Sequence, residues 1–324
     1  MRMPMRDVRR CDVRGKRVVV RVDLNAEVDD RGRVRDVTRL ASIVPTVKWL
    51  VRHGAKVVLI AHRGRPIGVD PKFSVEPYLT PLSKLLAQKI AFANDIVTFS
   101  RLPRQRKKEP KVTLLENVRF LPGEEKNSAA TARLLANLGD LYVLDAFATA
   151  HRAHASISGV RRYTKVWAGL LLQHEVAALH TVLKKPAHPF VAIIGGAKIS
   201  TKLGVVRRFM KIADYVLLGG ALANTVLQAE GVAIGASLTE PKMVRIAKGL
   251  RSSDAKLELP IDVVVRSGST IRTIAIGTVG AKDRIMDIGP DTIDLFSRAL
   301  ATAKTVIWNG PMGVFELAPF AEGT

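Results

Sequence analysis

The sequence predicts an α/β protein of two domains built on parallel sheets. Short β-branched runs alternate with segments of helical periodicity along the chain, and charged or glycine-rich stretches follow the runs. At 324 residues with 47% hydrophobic content, the chain can also bury more than one core.

In the first half the strands are VVVRV (18 to 22), KVVLIA (56 to 61), KVTLL (111 to 115) and LYVLD (141 to 145). Each is rich in β-branched or apolar residues and too short for a helix. Helical spacing fills the gaps, over roughly 38 to 52, near 76 to 89 and near 127 to 138. The second half repeats this logic with FVAII (190 to 194), a helix from about 200 to 212, YVLLG (215 to 219), helices near 220 to 230 and 240 to 251, IDVVV (261 to 265), a helix near 291 to 303, and TVIWN (305 to 309). No sequence repeat relates the halves. Between them GLLLQHEVAALHTVLKKP (169 to 186) carries apolar residues at helical spacing and stops at Pro186, so it reads as an interdomain helix separating domains at 1–168 and 187–324.

Lys plus Arg number 51 against 29 Asp plus Glu, a net charge of +22 that raises nucleic acid as a partner. The excess is scattered over the N-terminal arm, RLPRQRKKEPK (101 to 111), helix faces and strand ends, as on a solvated basic surface. With 5% aromatic residues and no zinc-ligand cluster, no specific nucleic-acid site is expected. The longest uncharged apolar stretch, Tyr215 to Ala229, is interrupted by Gly219, Gly220, Asn224 and Gln228, which suits a strand and helix and not a membrane span. MRMPMRDVRR has no apolar core of a secretory signal, and the single Cys11 cannot form an internal disulfide, so a cytoplasmic location is expected.

The chemistry gathers where strands end. RVDLN (21 to 25), HRGRP (62 to 66), LLENVRF (114 to 120) and LDAFATAHR (144 to 152) each put charge or hydrogen-bonding groups at the carboxyl end of an apolar run, the edge where open α/β sheets bind ligands. Arg21, Arg39, Arg65, Arg119 and Arg152 lie in or near these stretches. Guanidinium groups pair with phosphate and carboxylate through two hydrogen bonds, so the cluster suits a small, multiply anionic molecule. His151 and His154 stand at a metal-like spacing but have no carboxylate or thiolate cluster, and are read as structural. In the second half there is no GxxxxGK[ST] loop and no GxGxxG fingerprint. GGAKISTKLG (195 to 204) instead follows a strand and opens a helix, with glycines for close backbone approach, a helix N-terminus for phosphate, and Lys198 and Lys202 four residues apart.

These stretches, with VIWNGPMGVFE (306 to 316), occur in an order that resembles the phosphoglycerate kinase family, from near Val13 to Thr324. The resemblance implies two Rossmann-like domains and phosphoryl transfer between 1,3-bisphosphoglycerate and ADP, giving 3-phosphoglycerate and ATP, in a monomer without membrane attachment. It implies that Asp23 and Asn25 hold the hydroxyl and carboxylate region of 3-phosphoglycerate, while Arg39, His62, Arg65, Arg119 and Arg152 surround its carboxylate and phosphate. By the same resemblance Lys198 reaches the phosphoryl group in flight, Lys202 binds nucleotide phosphate, Gly220 lies beside adenine, and Asn309 and Glu316 contact the nucleotide, Glu316 at the ribose. Lys198, Arg39 and magnesium would then supply the electrostatic stabilisation, with closure of the domains about the 169–186 helix and with no protein ligand for the metal identified. Leu24, Ala26-Glu27 and Arg63 replace the usual Phe, Val-Pro and Leu, and Arg63 is expected to add positive charge beside the acceptor. The sequence stops before the family's GGGDT-type loop, so the C-terminal part of the second domain is expected to be missing and TVIWN to lie at an exposed edge. The alternatives are a non-catalytic relative that binds 3-phosphoglycerate only, and a basic nucleic-acid-associated protein.

Overall fold

The computed structural model describes residues 5–104, 109–251 and 256–324; residues 105–108 of the basic RLPRQRKKEPK stretch and the first four of the N-terminal arm lie outside the described residues. The chain divides into two compact units, Met1–Leu179 and His180–Thr324.

Unit 1 is built on a six-stranded parallel sheet of β1 (Arg17–Val22), β2 (Lys56–Ile60), β3 (Ala91–Ala93), β4 (Val112–Leu115), β5 (Leu141–Asp145) and β6 (Val166–Ala168), in the order β3-β4-β2-β1-β5-β6. β1 is buried along its whole length because helices cover both faces of a parallel sheet. Strand periodicity sends Val18, Val20 and Val22 into one core cluster and Val19 into the other. Arg17 and Arg21 share the Val19 face by the same alternation, and both are 1% exposed. Helices α1 (Thr38–Ser42), α2 (Val44–Arg52) and α3 (Leu79–Leu86) serve the first cluster through Leu40, Val47, Leu50 and Leu82. α4 (Ile96–Ser100) and α5 (Ala129–Ala136) serve the second through Ile96, Phe99, Ala132 and Leu135. The expected helix over 38 to 52 is two segments meeting at Ile43, and that near 76 to 89 begins with a 3₁₀ turn, Glu76–Tyr78.

The chain moves from β1 to β2 on one side and returns on the other with β5. The crevice beyond the carboxyl ends of β1, β2, β4 and β5 therefore lies where the connections diverge, the ligand-binding edge of such sheets. The registers Arg21↔Ile60 and Arg21↔Leu144 bring the three strand ends level, so the segments that follow them meet.

The long helix α6 (Leu170–Lys184) carries the division between units, with Leu172 buried in its first turn and Val182 and Leu183 packed on the core of unit 2. Unit 2 has a parallel sheet of β7 (Phe190–Ile194), β8 (Tyr215–Leu218), β9 (Leu257–Glu258) and a last strand β13 (Thr305–Asn309), ordered β13-β7-β8-β9. Helices α7 (Ile199–Ile212), α8 (Gly220–Ala229) and α9 (Val244–Arg251) surround its larger core, and α10 (Pro290–Ala301) packs Phe296 into a smaller one. β13 pairs only with β7 in this sheet, leaving Val306 and Trp308 about half exposed.

IDVVV does not join the parallel sheet. β10 (Asp262–Ser267) pairs antiparallel with β11 (Thr270–Ala275) and with β12 (Arg284–Ile288) in a separate three-stranded sheet. The reason is the two-residue turn between Ser267 and Thr270, in which Gly268 takes φ +60°, so β10 is followed by a hairpin and not by a crossover helix.

Candidate active site

The strand-end segments of unit 1 converge on a cationic cluster. Asp23, two residues beyond Arg21, is 8% exposed and accepts a 2.6 Å ion-pair bond from Arg39 Nη1 on α1. Asn25 is exposed, and its Oδ1 accepts from Gly64 N–H at 2.9 Å, tying RVDLN to HRGRP. Gly64 is obligatory here: φ is +59° and a Cβ would lie 2.2 Å from the Phe73 ring. Arg119 is placed by Asn117, whose Oδ1 accepts the Arg119 N–H at 3.0 Å while its amide donates to Arg63 O and Phe73 O. The Arg119 guanidinium bonds Gly64 O and pairs with Glu125 at 2.8 Å, and its Nε is buried without a partner. The guanidinium groups of Arg65 and Arg152 have no hydrogen bond or ion pair among the described residues. Arg65 is exposed and Arg152 half-buried. Both add positive potential at Arg119, and Arg152 does so at His62.

A buried layer supports this surface. Arg21 donates from Nε to Ser156 Oγ at 3.0 Å, from Nη1 to Val22 O, and from Nη2 to His62 Nδ1 at 3.2 Å. Ser156 in turn donates its hydroxyl and its N–H to Glu124, at 2.5 and 2.9 Å. Burial raises the Glu124 carboxyl above its ordinary value, and Arg21 opposes that rise. Burial, then the charges of Arg21, Arg119 and Arg152, push His62 down to about 2. His62 is therefore neutral across ordinary pH. His154 Nδ1 lies 3.9 Å from a Glu124 carboxylate oxygen at the edge of this layer. Arg63 donates to Ser74 O at 2.7 Å and sits over the Tyr78 ring, bracing the 71–78 segment, and it lines a hollow with Asn25 and Gly64.

In unit 2 the GGAKISTK segment leaves β7 and enters α7 with Lys198 at the N-cap, exposed. Lys202, one turn on, folds back to donate to Gly195 O at 2.5 Å and Asn309 O at 3.3 Å, and burial lowers its amine below the usual lysine value. The expected pair thus divides into an exposed lysine near Glu240 and a tethered one. Gly195 packs under the 309–312 turn, where a Cβ would meet Pro311 O at 2.0 Å. Gly220, at φ +63°, stands against Gly196, and a Cβ there would lie 2.8 Å from Gly196 N. Gly196, Gly220 and Pro311 line a cavity of about 740 Å³ that also reaches Asn224, Leu238, Met312 and Glu316. Glu316 is exposed at its rim, and Asn309 contributes its carbonyl to Lys202 and to Gly195 N–H. The N-terminus of α7 already holds one carboxylate, since Glu240 accepts from Ser200 N–H and Oγ at 2.8 and 2.6 Å.

Glu124, Glu125, Ser156 and Asn117 were not among the sequence-selected residues, nor was Asp287, which is 2% exposed beside the cavity and accepts from Ile288 and Gly323 N–H. Among the described residues no group of three or more His, Cys, Asp or Glu is placed to hold a metal, and no helix is long and apolar enough to cross a membrane.

The family model described as phosphoglycerate kinase matches residues 7–324. A phosphoglycerate kinase of Pelotomaculum thermopropionicum is 45% identical over 332 residues, covering 99% of this chain and 84% of that protein. A cytosolic phosphoglycerate kinase of Nicotiana tabacum is 44% identical, covering 98% and 82%. Among solved structures, phosphoglycerate kinases from Coxiella burnetii and Pyrococcus horikoshii align with TM-scores of 0.80 and 0.84 at 36% and 30% identity, each covering 99% of this chain and 84% of the other. With a parallel-sheet cationic cluster in one unit, a glycine-walled cavity in the other, and similarity along the whole sequence, the chain belongs to the phosphoglycerate kinase family.

Proposed function

We propose that the chain catalyses reversible phosphoryl transfer between 1,3-bisphosphoglycerate and ADP, with the three-carbon acid bound in unit 1 and the nucleotide in unit 2. Its family makes it an ATP-binding kinase of glycolysis. The observation that carries the finer reading is the pair of unengaged guanidiniums, Arg65 and Arg152, beside Arg119, whose Nε is buried and unpartnered. That arrangement is a site short of anionic oxygens. Phosphate and carboxylate of 3-phosphoglycerate supply them, Asn25 and Asp23 meet its hydroxyl, and His62 donates to one of its oxygens.

Unit 2 offers ADP or ATP a cavity of suitable size with Gly220 at its wall and Glu316 for ribose hydroxyls, and Lys202, held at the neighbouring Gly195 and Asn309 carbonyls, serves phosphate. Lys198, exposed at the mouth of the glycine turn, follows the moving phosphoryl group. Phosphoryl transfer asks for alignment and positive charge more than for covalent work, so Lys198 and Arg39 act as electrostatic stabilisers. No general base is needed, because a carboxylate acceptor is already ionised. A magnesium ion bound with the nucleotide would offset negative charge on its phosphates. We place the protein in the cytoplasm, as a monomer.

Calorimetric titration tests the division of labour. Arg65→Ala and Arg152→Ala should each weaken 3-phosphoglycerate binding about tenfold or more, the scale of a charge-assisted hydrogen bond, and leave ADP binding unchanged. Equal 3-phosphoglycerate affinity in both variants and the parent protein would remove the cluster from the acceptor site.

A further inference from the structure

We propose that Arg21 is a positioning residue that fixes His62 as the neutral Nε2–H tautomer, so that this imidazole meets the acceptor as a hydrogen-bond donor and not as a cation. The contact with the acceptor rests on the function proposed above; the tautomer does not.

A guanidinium carries donors only. With Arg21 Nη2 3.2 Å from His62 Nδ1, that nitrogen must present its lone pair, and the ring proton of a neutral imidazole then sits on Nε2. A proton on Nδ1 would set N–H against N–H in a place where Arg21 is 1% and His62 4% exposed. Arg21 cannot swing aside at low cost, because its Nε and Nη1 are committed to Ser156 Oγ and Val22 O. Ser156 links Arg21 to Glu124, which it holds through two hydrogen bonds, so the buried guanidinium has a carboxyl group one hydroxyl away. The other charged or titratable groups around the ring act in the same sense. Arg119 beyond β4, and Arg152 and His154 beyond β5, all disfavour an imidazolium, while Glu124 is turned to Ser156 and Asp23 to Arg39.

The arrangement separates two jobs. Charge recognition falls to the arginines that reach the surface, and His62 adds a directional donor whose state does not change across the working pH range. The group opposite Nε2 must then present an acceptor lone pair, as a carboxylate or phosphate oxygen does, so the device selects orientation while the arginines select charge.

The direct test is a long-range ¹H–¹⁵N correlation spectrum of the intact protein with ¹⁵N-labelled histidine, recorded without ligand, the His62 signals being assigned by their loss in His62→Gln. The expected spectrum shows an unprotonated Nδ1 and a protonated Nε2, unchanged between about pH 8 and about pH 5.5, a range across which an ordinary histidine titrates. A protonated Nδ1, or titration near the ordinary value of about 6.5, overturns the proposal. In Arg21→Met the two nitrogens should average between tautomers, and 3-phosphoglycerate affinity should fall about tenfold, one hydrogen bond's share. That affinity should become pH-dependent, with ADP affinity unchanged. If Arg21→Met does not fold, the spectrum of the parent protein decides. The expected tautomer in a protein that binds no 3-phosphoglycerate overturns the acceptor contact alone and, with it, the functional reading of the cluster.

Discussion

Arg39 Nη1 lies 2.6 Å from Asp23 Oδ2, joining the first helix of unit 1 to the end of its central strand. The Arg39 side chain is 52% exposed while the Asp23 side chain is 10% exposed, so the carboxylate is the anchor and the guanidinium the reaching partner. Because the Arg39 end is open to water and Asp23 also accepts from Asn25 N–H, the ion pair contributes modestly to stability. Arg39→Ala should therefore leave the unfolding free energy within about 1 kcal/mol of the parent while lowering kcat by about 10²- to 10³-fold, as expected of a lost transition-state donor. Steady-state kinetics beside urea denaturation separate the two effects, and a stability loss large enough to explain the activity would contradict the assignment.

Gly220→Ala places a methyl group 2.8 Å from Gly196 N in a residue at φ +63°. The strain costs about 1–2 kcal/mol before any contact is counted. The nucleotide KM should rise at least about tenfold with the 3-phosphoglycerate affinity unchanged, because the substitution is confined to unit 2.

Arg17 and Glu109 form an ion pair at 2.6 Å in which both side chains are 1% exposed. Removing one partner strands the other charge, at a cost of about 3–5 kcal/mol. Glu109→Ala should lower the urea midpoint of unit 1 accordingly. An unfolding free energy close to that of the parent protein would show that the carbonyls of Leu102 and Pro103, to which Arg17 also donates, suffice for the buried guanidinium.

Asp145 ends β5, accepts from Leu172 N–H at 3.0 Å on α6, and is fully buried; burial pushes its carboxyl up to about 6. A carboxyl raised by folding favours the folded state most below its unfolded value, and that contribution is lost as pH rises through the folded value. The unfolding free energy of the parent minus that of Asp145→Asn should fall by about 2–3 kcal/mol between about pH 4 and about pH 7. A difference that stays level or grows over that interval rules out the raised carboxyl.

Much of this architecture was legible because strands of covered parallel sheets are written as unbroken β-branched runs. FVAII and TVIWN fall on β7 and β13 residue for residue, and VVVRV and LYVLD match their strands to within one residue. The hairpin of β10 and β11 was passed over because IDVVV has the composition of a parallel strand and TIRTIA, mostly exposed, lacks one; only the SGST turn marked the reversal. The cationic residues were legible because they follow strands in sequence. The layer beneath them was not, since Glu124 and Ser156 are 32 residues apart, and GEEKN reads as an ordinary charged loop until folding buries one glutamate and leaves its neighbour at the surface. Arg63 shows the same limit. Its position in HRGRP says nothing of the carbonyl at Ser74 and the Tyr78 ring that engage its guanidinium.

The measurement that most directly tests the central claim is transfer of label from [γ-³²P]ATP to 3-phosphoglycerate by the purified protein. Formation of labelled acyl phosphate that requires both substrates, and that Arg39→Ala and Lys198→Ala each reduce by about 10²-fold or more, is the predicted result. Binding of 3-phosphoglycerate without transfer of label, or ATP consumption indifferent to 3-phosphoglycerate, would contradict it.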